Sequence, residues 1–190
     1  MKCKVIAITG QIGSGKSAVG KYLQQQGYSV LDCDQISRLV ADMPCVQQSV
    51  AALLGEQSVV DGKLNRPLIR KTIFADDSLY SRYNQIFFDQ IKQEITTAVC
   101  RLSAQGCRVV FVEIPLIDAF YYPWDAIWMV QCEVATRISR VTQRDGVDKS
   151  DVLAVSSKQS YQTAPTHTLI NDGTLHDLYA KVDDLVKQIL

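Results

Sequence analysis

Eight residues near the start of the chain, Gly10–Ser17, have the composition and spacing of a phosphate-binding loop. They match the pattern G-x-x-x-x-G-K-S at every defined position. An apolar run at Val5–Ile8 precedes them and a helical pattern at 18–23 follows, so the loop is predicted to join a buried strand to a helix. In such a loop the backbone N–H groups and the helix N-terminus bind polyphosphate, Lys16 reaches the β- and γ-phosphates, and the Ser17 hydroxyl binds Mg²⁺. The chain is therefore predicted to bind a nucleoside triphosphate. The predicted nucleotide-binding residues of this P-loop are Gln11, Ile12, Gly13, Ser14, Gly15, Lys16, Ser17 and Ala18.

Carboxylates are predicted at the ends of two further strands. Asp32 and Asp34 follow the second apolar run, and Glu113 closes the third. Period-two alternation predicts that both aspartates lie near one face of the strand end, beside the P-loop. Phosphoryl transfer needs one acid at Mg²⁺ and another that accepts the proton of the acceptor hydroxyl. Two alternatives stay open: Asp34 caps the following helix, and Glu113 is a structural residue.

Two arginines, Arg140 and Arg144, are spaced i, i+4 on the helix predicted after the fourth strand. On that face their guanidinium groups could bind the triphosphate or stabilise charge in the transition state. Spacing alone favours the alternative, an exposed helix face.

The order of elements is typical of an α/β protein with a five-stranded parallel sheet, of the three-layer kind found in P-loop hydrolases and kinases. About 75 residues without a strand signal separate the second and third strands, which predicts a helical insertion. The polar stretch that begins at Gly146 is predicted to be a lid that excludes water, a surface excursion being the alternative. The prediction is a single domain with its core at 1–34, 105–145 and 166–190, an acceptor-binding insertion at about 35–104, and a lid at about 146–165. Its strands are predicted at 5–8, 28–31, 109–112, 127–130 and 167–170.

Composition excludes several classes of protein. Lys and Arg total 20 of the 190 residues and so do Asp and Glu, so no basic surface argues for nucleic acid. No apolar stretch approaches membrane-spanning length. The six cysteines form no C-x-x-C pair, which predicts free, mostly buried thiols in a reducing cytoplasm. The oligomeric state has no signal in the sequence.

Several segments together resemble one family, the dephospho-coenzyme A kinases, from end to end and in family order. The P-loop is shared with many kinases, but the segments with the patterns D-x-D-x-I-x-R and L-x-R-x-x-L-x-x-x-x-F are much more specific. The matching segments are 8–17, 31–40, 64–74 and 114–117, Arg140 with 144–146, Gln159, and 170–175. The resemblance implies ATP-dependent phosphorylation of the ribose 3′-hydroxyl of dephospho-CoA, with ATP and dephospho-CoA as small-molecule partners.

The resemblance also implies roles for individual residues. It makes Asp34 the base toward the 3′-hydroxyl, with Asp32 beside it. It makes Arg140 and Arg144 phosphate-binding residues. Asn171 or Asp172 would contact adenine. Arg38, Arg66 and Arg70 either face the acceptor or pack the insertion.

Four segments depart from the family pattern. Phe88-Asp89 stands where His-Pro is usual, and Asp118-Ala119 follows the third strand where the family has a Phe-Glu ending. The lid segment Val155–Gln159 lacks the usual arginine, and no Lys or Arg occurs between Lys158 and Lys181. These departures keep two alternatives open: a P-loop kinase acting on another nucleoside or nucleotide, and a non-catalytic paralogue that binds ATP or a CoA-like ligand.

Overall fold

A computed structural model describes residues 3–157, 159 and 161–189, which form both strands and helices. The strands are β1 Lys4–Thr9, β2 Ser29–Asp32, β3 Val59–Val60, β4 Lys63–Leu64, β5 Val109–Glu113, β6 Ala126–Gln131 and β7 His167–Ile170. The helices are α1 Lys16–Gln25, α2 Cys33–Ala41, α3 Pro44–Leu54, α4 Arg66–Ile73, α5 Asp77–Ala104, α6 Val134–Asp145, α7 Lys149–Ser157 and α8 Leu175–Ile189. Two short 3₁₀ turns lie at Glu56–Ser58 and Ile117–Ala119.

Five strands form one parallel sheet in the order β2-β5-β1-β6-β7. The apolar runs of β1, β5 and β6 are buried, as is typical of a parallel sheet with helices on its faces. The edge strand β2 is half-buried, and the other edge strand, β7, buries only Leu169. The predicted α/β fold with a five-stranded parallel sheet is confirmed. Since all the strands run the same way, the P-loop after β1 and the residues that end β2 and β5 lie at one edge of the sheet.

The main core lies between the sheet and two helices. Alternate residues of β1, Ile6 and Ile8, point to one face of the sheet, where Phe111 and Trp128 of its neighbours are fully buried. Helices α1 and α8 cover this face with apolar side chains at helical spacing. They contribute Val19, Leu23, Leu178, Val182 and Val186.

The chain divides into two compact units. The first comprises the described residues up to Asp32 and from Val99 onward, and it contains the parallel sheet and the P-loop. The second is Cys33–Ala98 and contains α2, α3, α4, the β3–β4 hairpin and most of α5. The boundary between the units falls within α5.

The second unit corrects the prediction that the insertion contains no strands. Val59–Val60 and Lys63–Leu64 pair as a short antiparallel hairpin. Its turn is Asp61-Gly62, and both residues have positive φ, 51° and 67°. An Asp-Gly turn between short apolar runs is a recognised hairpin signal.

No disulfide links the cysteines of the described residues, as predicted, but these cysteines are not mostly buried. Cys3 and Cys33 are buried, Cys107 and Cys132 are half-buried, and the remaining two, Cys45 and Cys100, are exposed. None of the described helices combines the length and the apolar composition that a membrane span requires.

Leu178 provides a test of the core. Its side chain is 1% exposed, whereas Leu175 on the same helix is 53% exposed. Leu178→Ala should lower the free energy of unfolding by about 2–5 kcal/mol because it leaves a cavity against the sheet. Leu175→Ala should change it by less than about 0.5 kcal/mol. Denaturant unfolding of both variants measures the difference, and equal losses would contradict this assignment of the core.

Candidate active site

The P-loop is held against the ends of neighbouring strands. The Lys16 ammonium donates to the carbonyl oxygens of Gly10 at 2.7 Å and Gln11 at 3.5 Å, so the lysine lies across its own loop. Gly15 precedes α1 with φ 107°, and a Cβ there would collide with the side-chain amide of Asn171. Ser14 Oγ is buried and has no hydrogen-bond partner among the described residues. A loop of this kind, with an unsatisfied hydroxyl and a helix N-terminus, is suited to bind phosphate.

Arg140 of α6 contacts Asn171, which lies on the loop after β7. Asn171 is 3% exposed, and its Nδ2 donates to the Ser14 carbonyl oxygen at 2.7 Å. Arg140 Nη2 donates to the Asn171 carbonyl oxygen at 3.3 Å, and its Nη1 lies 3.7 Å from the Cys132 sulfur. Asn171 therefore positions the P-loop, a role that sequence analysis did not assign to it.

Two other predicted residues of this region have different surroundings. Arg144 forms a bidentate ion pair with the adjacent Asp145 at 2.7 and 2.6 Å, and its side chain is 62% exposed. This pairing raises the pKa of Arg144 and lowers that of Asp145. Asp172 accepts a hydrogen bond of 2.7 Å from the Glu133 backbone N–H. Within the described residues, neither side chain forms a hydrogen bond with the P-loop.

Asp32 and Glu113 are register partners at the ends of β2 and β5. A Cβ on Gly20 would collide with the Glu113 carboxylate, so that carboxylate lies against α1 one turn after Ser17. A hydroxyl and two carboxylates are hard oxygen donors of the type that Mg²⁺ prefers. No group of three or more metal-binding side chains occurs within the described ranges. Mg²⁺ in kinase sites is usually held by one or two carboxylates and the substrate phosphates, so Ser17, Asp32 and Glu113 fit this ion.

Asp34 is not on a strand, which corrects the prediction that it alternates with Asp32 along β2. The strand ends at Asp32 and α2 begins at Cys33, so Asp34 lies in the first turn of the helix. It is also inside the helix rather than at the position that caps a helix near Gln35.

A cavity of about 370 Å³ in the second unit brings three predicted residues together. Asp34, Arg38 and Arg66 all line it. Its remaining polar and aromatic lining includes Tyr83, Asn84, Phe87 and Phe88. Burial raises the pKa of Tyr83, although the Arg66 charge opposes this. Arg70 does not line the cavity. The cavity combines cationic, acidic and aromatic groups, as a nucleotide-like acceptor requires.

The predicted lid contains a helix, α7, whose end contacts the P-loop. Ile12 N–H donates to Gln159 Oε1 at 2.8 Å, and Gln11 Nε2 donates to the carbonyl oxygens of Ser156 at 3.5 Å and Gln159 at 3.4 Å. Lys158, a candidate replacement for the missing lid cations, lies outside the described residues, as do the side chains of Val155 and Ser157.

Asp118, in a segment that departs from the family pattern, holds the chain that leads from the lid to β7. Its carboxylate accepts hydrogen bonds from Gln162 N–H at 2.7 Å, from Thr163 N–H at 3.0 Å and from the Thr163 hydroxyl. Burial raises the pKa of Asp118, but these hydrogen bonds outweigh it and lower the pKa overall. The contacts are therefore retained at neutral pH and lost as the pH falls through this lowered value.

A second cavity, of about 460 Å³, adjoins the P-loop in the first unit. Its wall includes Gly10, Gln11 and Ser14 of the loop together with Arg137 and Tyr161. Sequence analysis missed Arg137, which lies one turn before Arg140 on α6 and is 5% exposed. The only signal in the sequence was its i, i+3 spacing from Arg140.

The family model described as dephospho-CoA kinase matches residues 4–176. The chain belongs to the dephospho-CoA kinase family. It is 31% identical to a dephospho-CoA kinase of Streptococcus mutans, over 98% of each chain, and 31% identical to one of Dechloromonas aromatica, over 100% of this chain and 95% of the relative. The kinase family resemblance predicted from the motifs is confirmed.

Solved structures agree with this assignment. A Thermus thermophilus protein has a TM-score of 0.84 at 26% identity over the whole of both chains. A dephospho-CoA kinase from Campylobacter jejuni has a TM-score of 0.66 at 16% identity, over 97% of this chain and 96% of that one, which shows the shared fold. The chain is an enzyme of the family that phosphorylates dephospho-CoA with ATP in coenzyme A biosynthesis.

The Asn171–Ser14 hydrogen bond gives a testable prediction about the P-loop. Asn171→Ala leaves a buried carbonyl without its donor, so it should lower the free energy of unfolding by about 1–3 kcal/mol and weaken ATP binding. Thr168→Ala, at an exposed position of the preceding strand, is the control. Thermal unfolding and titration calorimetry with ATP check both effects. Wild-type ATP affinity in Asn171→Ala would show that this bond does not position the loop.

Proposed function

We propose that the kinase transfers the γ-phosphoryl group of ATP to the ribose 3′-hydroxyl of dephospho-CoA, with Mg²⁺, in the cytoplasm. The observation that carries this proposal is the complete P-loop between β1 and α1 in a chain that the family model matches over residues 4–176. Free thiols in the described residues support a reducing compartment. We assign the nucleotide to the first unit and the acceptor to the cavity of the second.

Within the first unit, the P-loop N–H groups and Lys16 bind the phosphates, and Arg140 adds a second cation beside them. The oxygens of Ser17, Asp32 and Glu113 would hold Mg²⁺, which when bound neutralises charge on the β- and γ-phosphates. Lys16 already lies over Gly10 and Gln11. It exchanges these carbonyl oxygens for phosphate when the nucleotide binds. Arg144 is paired with Asp145, so it would exchange this carboxylate for phosphate in order to bind the nucleotide.

The adenine contact is assigned to the loop after β7. Asn171 Oδ1 is buried without a hydrogen-bond partner among the described atoms, which leaves an acceptor for a donor such as an exocyclic amino group. Asp172 and the loop backbone complete this assignment.

Asp34 is the proposed general base. It lies two residues after the end of β2 and lines the acceptor cavity, where its carboxylate can accept the proton of the attacking hydroxyl. Arg38 and Arg66 line the same cavity and would bind the phosphates of dephospho-CoA. The ring centroids of Tyr83 and Phe87 lie 5.0 Å apart, and these two rings provide apolar surface for the adenine base of dephospho-CoA.

The domain organisation predicted from the sequence forms part of this proposal. The core binds ATP, the insertion at about 35–104 binds the acceptor, and the lid at about 146–165 excludes water during transfer. The contacts of Gln11 and Ile12 with Ser156 and Gln159 support a lid that closes on the P-loop.

The direct test is a coupled ADP-release assay with Mg·ATP, comparing dephospho-CoA, no acceptor and a panel of nucleosides, with the product identified by mass. Turnover on dephospho-CoA at about 1–100 s⁻¹ is expected. Turnover on a nucleoside but not on dephospho-CoA would show that the kinase acts on a different acceptor. ATP binding without acceptor-dependent turnover would identify a non-catalytic paralogue.

Asp34→Asn tests the base. The amide cannot accept the proton, so turnover should fall by about 10²–10⁴-fold while ATP affinity stays within a few-fold. Asp42→Asn, at an exposed position just after α2, is the matched control and should keep wild-type turnover. Near-normal turnover in Asp34→Asn would remove this residue as the base.

Arg66→Gln tests the acceptor cavity. Loss of a charged donor to a phosphate should raise the KM for dephospho-CoA by about 10-fold or more and leave ATP affinity unchanged. Arg70→Gln is the control, because Arg70 is one turn further along α4 and does not line the cavity. An equal rise in KM for both variants would mean that long-range charge, rather than the cavity, recruits the acceptor.

A further inference from the structure

Arg137 is a buried cation in direct contact with the P-loop. It lies in the first turn of α6, and only 5% of its surface is exposed. Its backbone packs on the loop so closely that a Cβ on Gly13 would lie 2.7 Å from the Arg137 carbonyl oxygen. Arg137 is one of the residues that line the 460 Å³ cavity, whose wall also includes Gly10, Gln11 and Ser14. The guanidinium is therefore held beside the segment that binds phosphate.

The protein leaves this guanidinium only partly satisfied. Arg137 Nη1 donates to Ser156 Oγ at 3.0 Å, whereas Nε is buried and has no hydrogen-bond partner among the residues that the structure describes. No ion pair of Arg137 with a carboxylate occurs in the described part of the chain. An arginine remains protonated even when buried, and a buried charge is costly unless an anion pairs with it.

The cavity itself favours an anion. Of the described residues that line it, Arg137 is the only one charged at neutral pH. Burial raises the pKa of Tyr161 to about 12, against the opposing effect of the Arg137 charge, so the phenol is neutral. The other polar groups of the wall include the amides of Gln11 and Gln159 and the Thr163 hydroxyl, which can donate hydrogen bonds. Net positive charge and neutral donors suit phosphate oxygens.

We propose that Arg137 is a phosphate-binding residue of the nucleotide site and donates from its guanidinium to the phosphate chain that the P-loop holds. This inference rests on the proposed function only in taking ATP as the nucleotide. The planar guanidinium matches the geometry of phosphate oxygens. Between Arg144 and Lys181 the sequence has only two cations, Lys149 and Lys158. Helix α6, rather than the lid, therefore supplies the arginine that faces the phosphates from this side.

Binding measurements on Arg137→Gln test the assignment without any acceptor present. Dissociation constants for ATP and ADP are measured by titration calorimetry, with Arg101→Gln, an exposed arginine of α5, as the control. We expect ATP to bind Arg137→Gln about 10–100-fold more weakly, as for loss of a charged hydrogen bond, and the control to bind as wild type. Equal weakening of ADP places the contact on the α- or β-phosphate, and unchanged ADP affinity places it on the γ-phosphate.

A conservative variant and a ligand without phosphate separate phosphate binding from a structural role. Arg137→Lys keeps the charge and most of the stem, so it should fold and recover part of the ATP affinity. Adenosine has no phosphate for the guanidinium to contact, so it should bind Arg137→Gln as it binds the wild-type protein. If adenosine binding weakens as much as ATP binding does, Arg137 serves only to hold the local structure, through contacts such as that with Ser156, and the proposal is wrong.

Three other results would each support or overturn the assignment of Arg137 to phosphate binding. Wild-type ATP affinity in a folded Arg137→Gln protein overturns the proposal. So does an increase confined to the KM for dephospho-CoA, which would assign the guanidinium to the acceptor. If wild-type protein shows no turnover on dephospho-CoA but Arg137→Gln still weakens ATP binding, the proposed acceptor is wrong and the Arg137 assignment stands.

Discussion

The nucleotide site depends on the close packing of the P-loop against the ends of β6 and β7. Its glycines are needed because strand-end groups occupy the space where side chains would be: the Val130 carbonyl oxygen lies against Gly10, and the Asn171 amide lies against Gly15. Asn171 then fixes the loop by a buried hydrogen bond to Ser14. The loop is thereby preorganised before phosphate arrives, so little ordering entropy opposes binding.

This packing also links the P-loop to the rest of its unit. Helix α6 touches it through Arg137, and Gln159 of the lid accepts a hydrogen bond from Ile12. Asp118 in turn holds the chain that runs from the lid to β7. Two of the segments that depart from the family pattern, the one with Asp118 and the predicted lid, therefore form specific contacts within this unit. The predicted lid has few cations, and the groups next to the P-loop on this side are neutral amides and the buried arginine of α6.

Sequence analysis predicted the sheet and the P-loop well because both have strong local signals. Runs such as Val109–Val112 are uniformly apolar, as buried parallel strands must be, and β7 was predicted at its exact bounds. The boundary after β2 was predicted wrongly because α2 begins at Cys33 with no glycine or proline to mark the change. The β3–β4 hairpin did carry a signal, Asp61-Gly62, which the helical periodicity of the flanking segments obscured.

The site residues also divide into those that have a signal in the sequence and those that only the tertiary structure reveals. The position after β2 pointed to Asp34, and the family resemblance added Arg38 and Arg66; all three line one cavity. Neither signal could identify Arg137, because its burial and the lack of a partner for Nε among the described residues are properties of the tertiary structure. Nor could the spacing distinguish Arg140, which reaches the Asn171 carbonyl, from Arg144, which pairs with Asp145, since both lie on one helix face.

Gly20 shows how the proposed chemistry limits the ways in which this enzyme can become more stable. A glycine inside a helix costs about 1 kcal/mol relative to alanine, so Gly→Ala is a common first choice when a protein is engineered for heat resistance. In α1 the same change conflicts with the proposed metal site, because an added methyl group would push the Glu113 carboxylate from its position. Extra stability that leaves this carboxylate in place has to come from other positions of the chain.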